Sequence, residues 1–99
     1  MLTSKQRAYL RGLANTIPAT QQIGKDGVTE SVAQQAALEL KAKELIKIRV
    51  LESALLTARE ASELICEATG AEPVQCIGSK LVLYKPNPEK PGIVLPRDK

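Results

Sequence analysis

Apolar side chains recur at helical spacing in three segments of the chain. The first segment begins with a capping box, in which Thr3 and Gln6 can each satisfy a free backbone N–H of the other, and Pro18 prevents its continuation. Its apolar positions are Leu10, Leu13, Ala14 and Ile17. This pattern predicts a first helix over about residues 4–16.

The second helical segment begins after Thr29, which is a favourable N-cap residue. Glu30 lies in its first turn and Lys41 and Lys43 lie near its end, so the charges match the helix dipole at both termini. The apolar positions are Val32, Ala33, Ala36, Ala37 and Leu40. We expect this helix to end near Ala42.

The third helical segment opens with a second capping box, formed by Thr57 and Glu60, and ends at Gly70, where a left-handed residue is favoured. Its predicted apolar stripe is Ala58, Ala61, Leu64, Ile65 and Ala68. The opposite side carries three glutamates, Glu60, Glu63 and Glu67. We therefore expect this helix to face away from any nucleic acid.

Four shorter segments predict strands. Residues 45–51 alternate, with Ile46, Ile48 and Val50 on one side and Lys47 and Arg49 on the other, which is typical of a strand with one buried face. A short extended stretch covers residues 20–23. Residues 74–77 and 80–84 form two strands joined by a tight hairpin turn at residues 78–79.

The predicted order of elements is α-β-α-β-α-β-β, which indicates a compact α/β domain with a four-stranded mixed sheet and packed helices. Residues 1–85 make up this single domain. Residues 86–99 contain four prolines and predict a tail that is extended or partly docked, with residues 93–95 able to lie on a sheet edge.

Charge and composition narrow the functional classes. The net charge is +3, and residues 1–43 carry six basic against three acidic side chains, so an anionic partner should meet the N-terminal half. The chain has no histidine, no zinc-type cysteine spacing and only two aromatic residues. These features argue against catalysis, bound metal, cofactors and recognition by base stacking.

The cellular context follows from what the sequence lacks. It shows neither a signal peptide nor an apolar run of about 20 residues, so we expect a cytoplasmic protein that does not enter membranes. Cys66 and Cys76 are then expected to be reduced thiols, buried or half-buried.

The segment Gly24-Lys25-Asp26-Gly27 is the main candidate for binding chemistry. It lies between a predicted strand and a helix N-terminus, where glycines allow a phosphate to approach the backbone and free N–H groups can meet it. Lys25 adds a cation at the tip, and Asp26 is a carboxylate that should repel phosphate. By spacing alone, a tight strand-to-helix turn explains the two glycines equally well.

Four stretches resemble one known family. These are IGKDGVT at 23–29, KQRAYLRGLA at 5–14, ELIKI at 44–48 and QCIGSKLVLY at 75–84. Together, and in this order, they are similar to the CRM domain (chloroplast RNA splicing and ribosome maturation), in its bacterial stand-alone YhbY-like form. The resemblance covers about residues 2–85.

The resemblance implies a fold similar to the C-terminal domain of translation initiation factor 3. It also implies RNA binding through the GxxG loop and adjacent basic surface, and association with precursors of the large ribosomal subunit, with no small-molecule substrate. We expect such a protein to act as a monomer. The candidate RNA-binding residues are Gly24, Lys25, Asp26, Gly27, Thr29, Lys5, Arg7, Arg11, Lys47, Arg49 and Lys80.

Two other functions remain open from the residues themselves. A general nucleic-acid-binding protein of the Alba type would form dimers and bind duplex DNA comparably. A protein-interaction module would use an exposed sheet edge or the proline-rich tail and would bind no nucleic acid. Replacing Lys25, Arg7 and Arg11 by alanine separates the interaction module from the other two.

Overall fold

A computed structural model describes residues 2–87, 92 and 93. The helices are α1 (Ser4–Ala14), α2 (Glu30–Lys43) and α3 (Ala58–Thr69). The strands are β1 (Gln21–Ile23), β2 (Leu45–Val50), β3 (Glu72–Ile77) and β4 (Lys80–Tyr84), and a turn of 3-10 helix covers Glu52–Ala54. The predicted order of helices and strands is confirmed, except that the 3-10 turn was not foreseen.

The strands form one mixed sheet in the order β1-β2-β4-β3. β1 pairs with β2 in parallel, whereas β4 is antiparallel to both of its neighbours. Strands β1, β2 and β3 therefore all end at the same edge, which we call the loop end. It contains residues 24–27, residues 51–57 and the hairpin turn at residues 78–79.

Two backbone hydrogen bonds hold the loop end together. The Leu51 N–H donates to the Ile23 carbonyl at 2.9 Å, and the Val50 N–H donates to the Ser79 carbonyl at 2.6 Å. The first bond joins the connection at residues 51–57 to the end of β1, and the second joins the hairpin turn to the end of β2, so these strand ends and connections are fixed relative to one another.

The two faces of the sheet have separate cores. On one face α2 and α3 cover alternate strand residues, with Leu40 and Ile65 packed against Ile46, Ile48 and Leu83. On the other face α1 packs Leu10 and Ala14 against the part of the sheet remote from the loop end, which comprises Leu45, Val74, Val82 and Tyr84. Because α1 stops there, no described helix covers the same face toward the loop end.

The helix caps form as the sequence predicted. Both capping boxes are present, at Thr3 with Gln6 and at Thr57 with Glu60. Gly70 ends α3 in the left-handed region at φ 77°. At α1 the helix ends at Ala14 rather than near residue 16, and the strand β3 begins at Glu72, two residues earlier than predicted.

The predicted apolar stripe of α3 is partly wrong. Leu64 is 50% exposed and Ala68 is also exposed. The face that α3 buries is centred on Ala58, Ala61, Ile65 and two small polar residues, Ser62 and Thr69. Leu64 lies about 100° around the helix from the centre of that face, because successive helical residues are about 100° apart.

The two thiols lie in different surroundings. Cys66 on α3 is half-buried, and burial raises the pKa of its thiol, against a smaller opposing effect of a hydrogen bond with Ser62. Cys76 is exposed, so the expectation that both thiols are at least half-buried is wrong for this residue. It lies on β3, which is an edge strand of the sheet that the described residues form.

Candidate nucleic-acid interface

The loop Gly24–Gly27 is a closed turn at the loop end. The Gly27 N–H donates to the Gly24 carbonyl at 2.9 Å, so Lys25 and Asp26 occupy the two central positions and are exposed. The turn leads into α2, where the Thr29 hydroxyl accepts from the Val32 N–H at 3.2 Å. The turn therefore presents the Lys25 cation to solvent immediately before a helix N-terminus.

The two glycines of this turn differ in what the fold requires of them. Gly27 has φ +69°, a conformation that L side chains rarely adopt, and an added Cβ would lie 3.4 Å from Leu56. Gly24 has no such backbone constraint, and a Cβ there would make ordinary contacts at 3.9 Å with Ser53 and 4.0 Å with Leu51. The turn explains Gly27, whereas nothing inside the fold explains Gly24.

We expect Gly24→Ala and Gly27→Ala to affect different properties. Gly27→Ala should lower the free energy of unfolding by about 1–2 kcal/mol, because alanine is strained at positive φ. Gly24→Ala should leave stability unchanged or slightly raised, yet weaken RNA binding about tenfold, because its methyl group blocks close approach of a phosphate. Urea unfolding and fluorescence anisotropy with a labelled transcript of large-subunit ribosomal RNA measure the two effects.

Gly12→Ala is the matched control for these two variants. An added Cβ at Gly12 meets nothing within 4 Å on the exposed side of α1. This variant should gain about 0.5–1 kcal/mol of stability and keep its RNA affinity. Equal RNA affinity in Gly24→Ala and wild type would show that Gly24 is not a point of close approach.

The uncovered part of the sheet carries three basic side chains, Lys47, Arg49 and Lys80, which we call the basic sheet face. Arg49 lies opposite Lys80 across the β2–β4 pair, and on its other side it lies beside Gln22 of β1, two residues before the loop. Lys47 and Lys80 line a hollow of about 100 Å³. Its other lining residues are Ala14, Asn15, Gln75, Ile77 and Val82. The basic sheet face is therefore continuous with the loop.

The cations of the basic sheet face are not neutralised by any described carboxylate. Among the described residues, none of Lys47, Arg49 and Lys80 has a carboxylate within ion-pair distance. Like charges directly opposite each other on a sheet are destabilising, as Arg49 and Lys80 are here. An arrangement that costs stability and leaves cations exposed is suited to an anion from outside the chain.

The candidate basic residues of α1 are separate from this cluster. Lys5 and Arg11 are exposed, whereas Arg7 is half-buried at the edge strand β3. The structure thus places Lys25 in the loop, Arg49 and Lys80 next to the loop end, and Lys47 further along the same face of the sheet. Arg7 lies away from them, at the edge strand β3, where it faces α3.

Glu44 is a residue whose role the sequence did not reveal. It is buried, with φ 67°, and its carboxylate accepts from the N–H groups of Asn87 at 2.8 Å, Gly92 at 2.5 Å and Ile93 at 3.0 Å. Burial, and secondarily the charge of Glu44, raise the pKa of Tyr84. Glu44 thus attaches the described part of the tail to the domain, at the end of the sheet opposite the loop end.

The tail also contacts the α1 side of the sheet. Ile93 packs against the cluster that contains Leu10 and Tyr84. Val94 and Leu95, which the sequence suggested as docking residues with Ile93, lie outside the described residues.

Within residues 2–87, 92 and 93, no group of three or more cysteine, aspartate or glutamate side chains is arranged to hold a metal ion. None of the helices described is long and apolar enough to cross a bilayer.

Known proteins resemble the chain along almost its whole length. The Bacillus subtilis protein YqeI, named a probable RNA-binding protein, is 38% identical over 96 residues, which cover 97% of this chain and 100% of the relative. An RNA-binding protein of Haemophilus influenzae is also 38% identical, over 97% of this chain and 96% of its own length.

A solved structure shares both fold and sequence with the chain. It is the solution structure of a Staphylococcus aureus protein described as a candidate RNA-binding protein, with a TM-score of 0.78 and 41% identity. The match covers 97% of this chain and 100% of the other. In addition, the model of the CRS1 / YhbY (CRM) domain matches residues 2–85, the range over which the four motifs were found. The chain therefore belongs to the CRS1/YhbY (CRM) domain family.

Proposed function

We propose that this protein binds RNA and associates, as a cytoplasmic monomer, with precursors of the large ribosomal subunit, without catalysing a reaction itself. The observation that carries the proposal is the basic sheet face, whose three cations have no carboxylate partner among the described residues and adjoin the loop Gly24–Gly27. The similarity to proteins named as RNA-binding supports RNA as the anion.

The chemistry of this surface favours the RNA backbone over the bases. Lysine and arginine side chains neutralise phosphates, whereas stacking on bases requires aromatic side chains. The chain has only Tyr9 and Tyr84, and Tyr84 is buried in the core of the α1 side. Phosphate contacts position a protein on RNA without reading its sequence. The ribosomal target follows instead from the family resemblance, which implies association with large-subunit precursors.

Sedimentation of a tagged copy from cell lysate through a sucrose gradient tests the proposal. We expect the protein to travel with particles at or below the size of the large subunit, and to leave them as salt is raised, because phosphate contacts release counterions. Treating the lysate with ribonuclease should move it to the top of the gradient. A protein that stays at the top at every salt concentration, without ribonuclease, contradicts the proposal.

Competition separates RNA from the general nucleic-acid alternative. With the labelled ribosomal RNA transcript bound, unlabelled duplex DNA of equal length should displace it far less well than unlabelled RNA does. Equal displacement, together with a dimer in analytical ultracentrifugation, would favour the Alba-like alternative.

A further inference from the structure

A second basic site lies at the β3 edge of the described sheet, on the side of β3 away from β4. A groove of about 450 Å³ runs along this edge between α1 and α3. Two arginines line it, Arg7 from α1 and Arg59 from the first turn of α3, and its floor is formed by residues 73–76. Its volume is in the range of sites that hold small ligands or parts of larger ones.

No described side chain is recorded as a hydrogen-bond or ion-pair partner of the two arginine side chains of this groove. The Nε atom of Arg7 is buried and makes no hydrogen bond within the described part of the chain. Neither Arg7 nor Arg59 has a carboxylate within 4.0 Å among the residues that the structure describes, although Glu63 also lines the groove. A buried N–H without an acceptor is unfavourable, so a shift of the Arg7 side chain that lets its guanidinium group donate to an anion in the groove is favoured.

The groove is connected to the basic sheet face. Gln75 lines both the groove and the hollow between Lys47 and Lys80. A chain of phosphates could therefore cross the sheet face and continue around the β3 edge past Gln75. A planar guanidinium binds a phosphate through two parallel hydrogen bonds, which suits Arg7 and Arg59 to this chemistry.

We infer that the groove between Arg7 and Arg59 is a second phosphate-binding site, which holds the backbone of the same RNA beyond the basic sheet face. This inference rests on the proposed function and adds α3 to the interface. The sequence suggested that α3 faces away from nucleic acid because of its glutamates. Arg59 lies one turn before Glu63 on that helix and makes the N-terminal part of α3 an RNA contact.

Salt-dependent binding of the ribosomal RNA transcript tests the groove. For Arg7→Gln/Arg59→Gln we expect affinity at about 0.15 M salt to fall about 15- to 30-fold, and the slope of log affinity against log salt to become shallower by about one for each arginine. Glu63→Gln should tighten binding by about two- to threefold, because it removes a carboxylate that repels the phosphate. If Arg7, Arg59 and Glu63 only stabilised the fold, Glu63→Gln would not raise the affinity for RNA.

Lys43→Gln is the control for a positive charge lost outside both basic sites. Lys43 pairs with Glu39 at 3.9 Å on α2, away from both basic sites, so this variant loses one positive charge without losing a phosphate contact. Its salt slope should equal that of the wild type. Arg59→Lys keeps the charge but not the planar fork, and it should recover only part of the affinity lost in Arg59→Gln.

The Nε–Hε signals of Arg7 and Arg59 in nitrogen-correlated NMR spectra locate the ligand directly. Both should shift on addition of the RNA transcript, and inorganic phosphate should displace the RNA from them only at high concentration. If the double variant keeps wild-type affinity and slope while substitutions on the basic sheet face abolish binding, the groove inference is wrong and the proposed function stands. If the wild type binds no RNA but phosphate shifts both signals, the groove holds a small anion and the RNA assignment is overturned.

Discussion

Replacing Lys47, Arg49 and Lys80 together by glutamine is expected to weaken binding of the ribosomal RNA transcript about 50- to 200-fold at about 0.15 M salt. Each lost phosphate contact makes the slope of log affinity against log salt shallower by about 0.7 for single strands and about 0.9 for duplexes. If the variant and the wild type bind equally at about 1 M salt, the loss of three contacts gives this difference in affinity at about 0.15 M. Fluorescence anisotropy at four or more salt concentrations measures both the affinity and the slope.

The same triple variant should be no less stable than the wild type. Glutamine keeps most of the length of each side chain, and the substitutions remove the unfavourable opposition of Arg49 and Lys80. We expect the free energy of unfolding to stay within about 0.5 kcal/mol of the wild type or to rise. Weaker binding without lower stability assigns the loss to the interface.

Lys43→Gln again serves as the control for a positive charge lost outside the basic sites. A triple variant that retains wild-type affinity contradicts the central role of the basic sheet face. A loss of affinity with an unchanged salt slope also counts against it, because lost phosphate contacts must change the slope. Stability measurements on every variant exclude unfolding as the cause of either result.

Local features of this fold could be predicted from the sequence because they depend on neighbours along the chain. Both capping boxes formed, since a side chain and the backbone N–H three residues away are brought together by the helix itself. The alternation in residues 45–50 placed Lys47 and Arg49 together on one face of β2, opposite Ile46 and Ile48. Such patterns give the face on which a residue lies.

Pairings between distant segments could not be predicted in this way. Periodicity does not give the order of strands in a sheet, so the sequence did not indicate that Arg49 lies opposite Lys80. Nor did it indicate that Arg7 and Arg59 share a groove, because that depends on α1 and α3 packing on opposite faces at the same sheet edge. The misplacement of Leu64 has the same origin, since the buried face of α3 is set by the sheet it packs on.

The two glycines of the loop show what structure adds to a short motif. In the sequence, a tight turn and a phosphate loop explain Gly24 and Gly27 equally well. In the structure, the positive φ of Gly27 belongs to the turn, whereas Gly24 has room for a Cβ. The functional interpretation therefore depends on Gly24, Lys25 and the adjoining basic sheet face rather than on the spacing of the glycines.

Glu44→Ala should be the most destabilising of the substitutions considered, and it should leave RNA binding intact. It removes a buried carboxylate that accepts three backbone N–H groups, from Asn87, Gly92 and Ile93, and hydrogen bonds to charged groups contribute about 1.5–3 kcal/mol each where their partners stay buried. Because the tail can re-expose its N–H groups to water, we expect a smaller total loss of about 2–4 kcal/mol. Urea unfolding measures the loss.

Glu44→Gly and Glu44→Gln separate the two contributions of this residue. Alanine keeps the strained φ of 67°, so Glu44→Gly should be about 1 kcal/mol less destabilised than Glu44→Ala. Glu44→Gln keeps one acceptor oxygen for Gly92 and Ile93 but turns a donor toward Asn87, and its stability should lie between those of Glu44→Ala and the wild type.

Hydrogen exchange of the three tail amides identifies the contact responsible for the loss. In Glu44→Ala the amides of Asn87, Gly92 and Ile93 should exchange faster, and the pKa of Tyr84 should move back toward its ordinary value, because the nearby negative charge is gone. Protected amides in a variant of wild-type stability would contradict the role of Glu44. Since Glu44 precedes β2, at the opposite end of the sheet from the loop, wild-type RNA affinity in the same variant would show that attachment of the tail and RNA binding use separate ends of the domain.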